Sequence, residues 1–212
     1  MRWVVVVIAA FLVSVGLAAI VTFPLGGGDA TGRDELEPLP ELAQVPDWSL
    51  TASTGETVTS DDLRGTPYIA DFIFTRCKLA CPMMTMDMKS VQDALAARGV
   101  LGEVKLVSVS VDPEHDRPDV LAEFKRRYEA HAEHWLFLTG ESREEVWSLV
   151  EDGYLLPLDE DPDNEVMPIQ HSTRFVLVDA EGAIRGYFSA DSEEGRRELV
   201  EAALRLQAAS PR

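Results

Sequence analysis

Cys77 and Cys81 are the only cysteines of the 212-residue chain, and they stand together in FIFTRCKLACPMMTMDM, at the end of an apolar run. Three residues separate them, one more than in the Cys-x-x-Cys redox signature. Four positions apart at the start of a helix, both sulfurs face one side. A helix N-terminus stabilises negative charge, so a thiol there ionises easily, and the thiolate is the form that binds a metal or attacks a disulfide. Pro82, with no N–H to satisfy, suits an early helical position. The plain alternative is a structural disulfide, although so short a loop constrains the unfolded chain only modestly.

His171 is the next candidate, in Pro168-Ile169-Gln170-His171-Ser172-Thr173 just before an apolar strand. Taken alone, a loop histidine is a solvated residue. Combined with two thiolates it would complete a set of two sulfurs and one nitrogen, which suits Cu(I). Nothing in the spacing brings it near the cysteines. Four of the six methionines follow Cys81 closely. On a helical wheel, Met84 and Met88 share the face of Val91 and Leu95 and belong to the core. Met83 and Met86 point elsewhere, and exposed thioethers there are candidate auxiliary Cu(I) donors; so is Met167, near His171. His131 and His134, three apart, read as a solvated helix end rather than a metal pair. Asp112, in VDPE, either orients the site or closes a turn. The acidic run from Asp159 to Glu165 contains Pro162 and lacks a calcium-loop pattern, which makes it a solvated loop.

The elements that must position these residues alternate. Trp48–Thr51 and Thr57–Thr59 read as a short hairpin. Tyr68–Phe74 is a strand buried on both faces, interrupted by Asp71, which would need a partner there. The helix after Pro82 ends at Gly99. Val104–Val111 is a second buried strand, Pro118 opens a helix through Leu121, Phe124 and Tyr128, and Trp135–Leu138 is a third strand. Ser142 to Glu145 is a capping box for the next helix. A Pro- and acid-rich excursion then runs from Gly153 to Gln170. The strands Arg174–Val178 and Ile184–Ser189 form a hairpin, and a helix carrying Leu199, Ala203 and Leu206 closes the chain. This is an α/β layout, a mixed sheet flanked by helices.

Net charge is −18, from 19 basic and 37 acidic residues. So acidic a surface repels phosphate backbones and argues against nucleic-acid binding. Trp3 to Phe23 is an uncharged, largely apolar stretch, enough for a helix of roughly 30 Å, the hydrocarbon thickness of a bilayer. Arg2 precedes it and acidic residues follow. The expectation is a single-pass anchor over residues 1–24 with a cytoplasmic N-terminus, rather than a cleaved signal peptide. No cysteine follows the segment to carry a lipid. Residues 25–46, rich in Gly, Pro and charge, read as a linker. Residues 47–212 form the extracytoplasmic, periplasmic-side domain.

Three motifs in order, FIFTRCKLACP, SVSVDPEHDRP and QHSTRFVLVDAEG, after an N-terminal anchor, resemble the Sco/SenC family of copper-binding proteins. The resemblance runs from Trp48 to Leu206. It implies a thioredoxin-like fold with an added β-hairpin, and Cys77, Cys81 and His171 as copper ligands. It also implies a redox-active Cys77–Cys81 pair, and a membrane-anchored chaperone role in assembling the dinuclear copper centre of cytochrome c oxidase subunit II. The copper is expected as Cu(I), with Cu(II) as the alternative. An extracytoplasmic thiol reductant is expected to keep the pair reduced, and no enzymatic turnover is expected. The rival role is a thiol–disulfide oxidoreductase or redox sensor acting on subunit II cysteines. The chain departs from the family pattern at Lys78-Leu79-Ala80, where a proline and an acid are frequent. It also departs at Arg76 (often His), His115 (often Arg) and Gln170 (often Asp).

Overall fold

The computed structural model describes residues 38–78, 80–164 and 166–209. The expected membrane anchor and most of the expected linker lie outside these residues, as do Leu79 and Glu165. No helix among the described residues is long and apolar enough to cross a membrane.

The centre is a β-α-β-α-β run: β4 (Tyr68–Ile73), α1 (Ala80–Ala97), β5 (Lys105–Ser110), α2 (Pro118–Arg127) and β6 (Trp135–Thr139). β4 pairs in parallel with β5, and β5 with β6. Every residue of β4 is buried, as expected of an interior strand covered on both faces. On one face Tyr154 packs edge-on against Phe72, with centroids 5.0 Å apart, and shares a 3.0 Å hydroxyl hydrogen bond with Tyr68. Strands β1 (Ala43–Gln44), β2 (Ser49–Ala52), β3 (Thr57–Thr59), β9 (Arg174–Val178) and β10 (Ala183–Ser189) extend the sheet to eight strands, in the order β1-β10-β9-β4-β5-β6-β2-β3. Helix α4 (Glu193–Ala209) packs on β9, β10 and α1. This is the thioredoxin-like α/β arrangement with a mixed sheet.

Three features differ from the sequence expectations. The unit that carries the sheet begins at Pro38, before the expected boundary at residue 47. Ala43–Gln44 pairs with β10 and Val45 is buried, so the end of the expected linker belongs to the sheet. Two main-chain bonds and a buried side chain outweigh a Pro-rich composition. Within the acid-rich excursion, β7 (Leu158–Glu160) and β8 (Ile169–His171) form a separate antiparallel hairpin, where the run of acids hid a pairing carried by main-chain groups. The third is Asp71. It is fully buried in β4, and neither carboxylate oxygen has a hydrogen-bond partner. Burial pushes its pKa up to about 7, little offset by the neighbouring Ser108 hydroxyl, so a neutral acid is the form that suits this position.

α1 buries Cys81, Met84, Thr85, Met88, Val91, Gln92 and Leu95, one stripe at three- and four-residue spacing. It ends in a Schellman turn: Gly99 takes φ +71°, with Val100 N–H on the Leu95 carbonyl and Gly99 N–H on the Ala96 carbonyl. His131 and His134 lie beyond the end of α2 in a turn, their rings stacked 4.4 Å apart.

Candidate metal and redox site

The loop 74–78 joins the C-terminal end of β4 to α1, so a rigid central strand aims the cysteines. The loop is clamped from the segment that follows β5. Asp116, fully buried, accepts from the Thr75 amide at 2.9 Å, the Thr75 hydroxyl at 2.5 Å and the Ser110 hydroxyl at 2.6 Å. Asp112, also buried, accepts from Arg76 Nε at 2.7 Å and pairs with Arg76 Nη2 at 2.6 Å. Both acids therefore act on the two residues before Cys77. Asp112 thus holds the loop through Arg76. Asp116 escaped the sequence reading; its one signal is its position four residues after Asp112.

Cys77 and Cys81 are not joined by a disulfide and are 4% and 0% exposed. The α1 N-terminus meets them as its position requires: Cys81 N–H donates to Cys77 Sγ at 3.4 Å, using an amide that the first helical turn leaves without a helical acceptor. Phe74 N–H points at Cys81 Sγ at 3.5 Å. The adjacent Cys77 sulfur, and then burial, push the Cys81 thiol far above its ordinary range. Two thiolates side by side repel, and a cation between them removes that cost.

His171 ends β8, directly across the hairpin from Leu158. Its Nε2 is 3.1 Å from Cys81 Sγ, across ninety residues of sequence. Its Nδ1 is 3.0 Å from the carbonyl oxygen of Ser172. A carbonyl only accepts, so Nδ1 carries the proton and the Nε2 lone pair faces the sulfur. Burial lowers the His171 pKa, against the smaller opposing effects of the Ser172 carbonyl and Cys77, so the neutral imidazole is favoured. The Phe74 ring meets the imidazole edge-to-face, at 5.8 Å and 82°.

The fold thus brings together the two thiols and the imidazole singled out in the sequence. Among the described residues no three His, Cys, Asp or Glu side chains already surround one point as a finished metal cage. Cys81 lies against both of the others, its sulfur 3.1 Å from His171 Nε2 and its amide 3.4 Å from Cys77 Sγ. Two sulfurs and one neutral nitrogen are donors that suit a soft metal ion. The same pair of sulfurs can also form a disulfide. Met84 and Met88 are buried, while Met83 and Met86 are 64% and 63% exposed. α1 therefore turns the latter two to solvent while it turns Cys81 inward. Met167 is partly buried against the core.

The hairpin is fastened by polar contacts. Lys78 N–H reaches the Val166 carbonyl at 3.5 Å. Arg143, on α3 (Arg143–Ser148), pairs with Glu160 of β7 at 2.6 Å.

A family model described as SCO1/SenC matches residues 37–206. The SCO1 protein homolog of Bacillus subtilis is 33% identical over 141 residues, 66% of this chain and 71% of that one. The structure of BsSco, a member of the Sco family of cytochrome c oxidase assembly proteins with a disulfide switch, superposes with a TM-score of 0.70. It shares 27% identity and covers 80% of this chain and 97% of its own. The copper-bound ScoI of Arabidopsis thaliana superposes with a TM-score of 0.65 at 25% identity, covering 77% of this chain and 99% of its own. By fold, by motif order and by a match over most of its length, this chain belongs to the SCO1/SenC family.

Proposed function

We propose that the protein is a copper chaperone of cytochrome c oxidase assembly, with Cys77, Cys81 and His171 as the cargo ligands. The observation that carries the reading is the 3.1 Å approach of His171 Nε2 to Cys81 Sγ, with the other ring nitrogen held by Ser172. Relatives that are copper-bound, or that belong to an oxidase-assembly family, support it. Loading exchanges two thiol protons for one Cu(I), and the imidazole lone pair completes the set. Handover then proceeds by displacing one ligand at a time with a partner's thiol or imidazole. The receiving site is the dinuclear copper centre of oxidase subunit II. Residues 1–24 anchor the chain, with the domain on the periplasmic side.

The test is an anaerobic Cu(I) titration of the reduced full chain. It should saturate near one copper per chain, and His171→Ala should weaken binding by about ten- to hundred-fold, on the scale by which even residues outside the ligand set tune metal affinity. Unchanged affinity in that variant removes His171 from the site.

The disulfide switch of BsSco favours a second reading, a thiol–disulfide exchanger. Closing Cys77 to Cys81 releases two electrons and two protons to an oxidised partner, and an external dithiol returns them. That activity needs both cysteines and not His171. Disulfide reduction by His171→Ala at the native rate, with copper retention lost, separates the two roles.

A further inference from the structure

The thiols and the imidazole sit on separately built parts of the molecule, and one side chain, away from the donors, contacts the supports of both parts. On the cysteine side, Arg76 is locked to Oδ2 of buried Asp112. On the histidine side, β7 is tied by Glu160 to Arg143 Nη1 at 2.6 Å. The two ends meet: Arg143 Nη2 is 4.0 Å from Asp112 Oδ1 and 3.6 Å from Glu114. Neither Asp112 Oδ1 nor Arg143 Nε makes a hydrogen bond, so each has a binding position to spare facing this junction. The guanidinium lies 5.6 Å over the Trp147 ring, and Trp147 Nε1 donates to the Val111 carbonyl at 2.9 Å. The stacked guanidinium is thereby referred to the end of β5. A planar fork with several donors can serve Glu160 and Asp112 at once, which a point charge cannot.

We propose that Arg143 is a positioning residue that sets the distance between the His171 hairpin and the cysteine loop, through a chain running Glu160–Arg143–Asp112–Arg76. The hairpin also meets the loop through the Lys78–Val166 hydrogen bond and the edge-to-face contact of His171 with Phe74. Holding it shut keeps Nε2 on Cys81; letting Arg143 swing fully to Asp112 frees β7 and lifts the imidazole away. The chain gives the histidine a release path that leaves both thiols in place, so His171 is the first ligand surrendered at handover. This rests on the ligand set proposed above.

The test uses the full chain with Arg143→Met, which keeps an unbranched apolar stem beside Trp147 but removes the charged fork, Glu160→Gln, and Arg143→Lys. Arg143→Met and Glu160→Gln should each raise amide hydrogen exchange across residues 158–171 while leaving α1 unchanged. Each should also weaken Cu(I) retention, by about ten-fold for Arg143→Met, and Arg143→Lys should recover part of the loss. In a His171→Ala background, Arg143→Met should cause no further loss, because it acts through that residue. Unchanged hairpin exchange in both charge-removing variants overturns the proposal, as does an equal additional loss in the His171→Ala background. If His171→Ala itself leaves copper binding intact while Arg143→Met still loosens the hairpin, the ligand set falls and the positioning role of Arg143 stands.

Discussion

The β4-α1-β5 centre and the β7–β8 hairpin each deliver part of one site, and they are held by different forces. In the centre, Phe72, Ile73, Met88, Leu95, Leu106 and Val107 are fully buried, and each such side chain contributes on the order of 1.5–3 kcal/mol by leaving water. The buried carboxylates of Asp116 and Asp112 then pin the cysteine loop through Thr75 and Arg76. The hairpin has two short strands, only Leu158 and Ile169 of its paired residues buried, and an ion pair of a part-exposed arginine with a glutamate. Such pairs contribute about 0.2–1 kcal/mol. The thiols are therefore presented rigidly and the imidazole adjustably. That asymmetry suits a carrier, which has to keep its cargo and then give it up.

The strongest blow to the rigid half is removal of a sulfur. Cys77→Ser and Cys81→Ser should each reduce Cu(I) binding in the anaerobic titration below detection, since a hydroxyl is a poor ligand for a soft ion. Retained stoichiometric binding in either would remove the thiol pair as the principal donors. Phe72→Ala should cost about 3–5 kcal/mol in denaturant unfolding. A loss under 1 kcal/mol would mean that the centre is not the rigid partner of the hairpin.

Asp71 tests the same half by pH. Its folded pKa is raised to about 7 against an ordinary 3.8, so the folded state keeps a proton that the unfolded chain releases. Stability from this group is fully present below about pH 3.8 and is lost as pH rises through 7. The full difference is about 4 kcal/mol, from roughly three pH units at 1.36 kcal/mol each. Asp71→Asn should flatten the decline in unfolding free energy between pH 4 and 8 relative to the native chain. Parallel curves would show that Asp71 is not the titrating group.

The adjustable half should respond weakly in stability. Gln170→Ala, on the exposed side of β8, should change unfolding free energy by less than about 0.5 kcal/mol. A larger loss would mean that the hairpin carries more of the fold than its contacts suggest.

The centre was legible because buried strands and an amphipathic helix write their periods directly into the chain: YIADFIF, VKLVSVSV, and Met84, Met88, Val91, Leu95. The hairpin was not, because two three-residue strands held by main-chain bonds leave no apolar period, and acids such as Asp159 and Glu160 read as solvated. Arg143 looked like a residue of a helix start, since a guanidinium's partners come from segments distant in the chain. The same holds for Asp116, whose ligands Thr75 and Ser110 lie on two different strand ends.

The sequence by itself determined the two sulfurs at a helix N-terminus, the alternating α/β order and the family resemblance that singled out His171. Only the tertiary structure decided that His171 reaches Cys81 and turns its unprotonated nitrogen to the sulfur. It also decided that Met83 and Met86 face solvent, and that Asp112 holds Arg76. The reason is physical: helix and strand formation depend on neighbours along the chain, whereas a contact across ninety residues depends on where the packed sheet and its hairpin carry both ends.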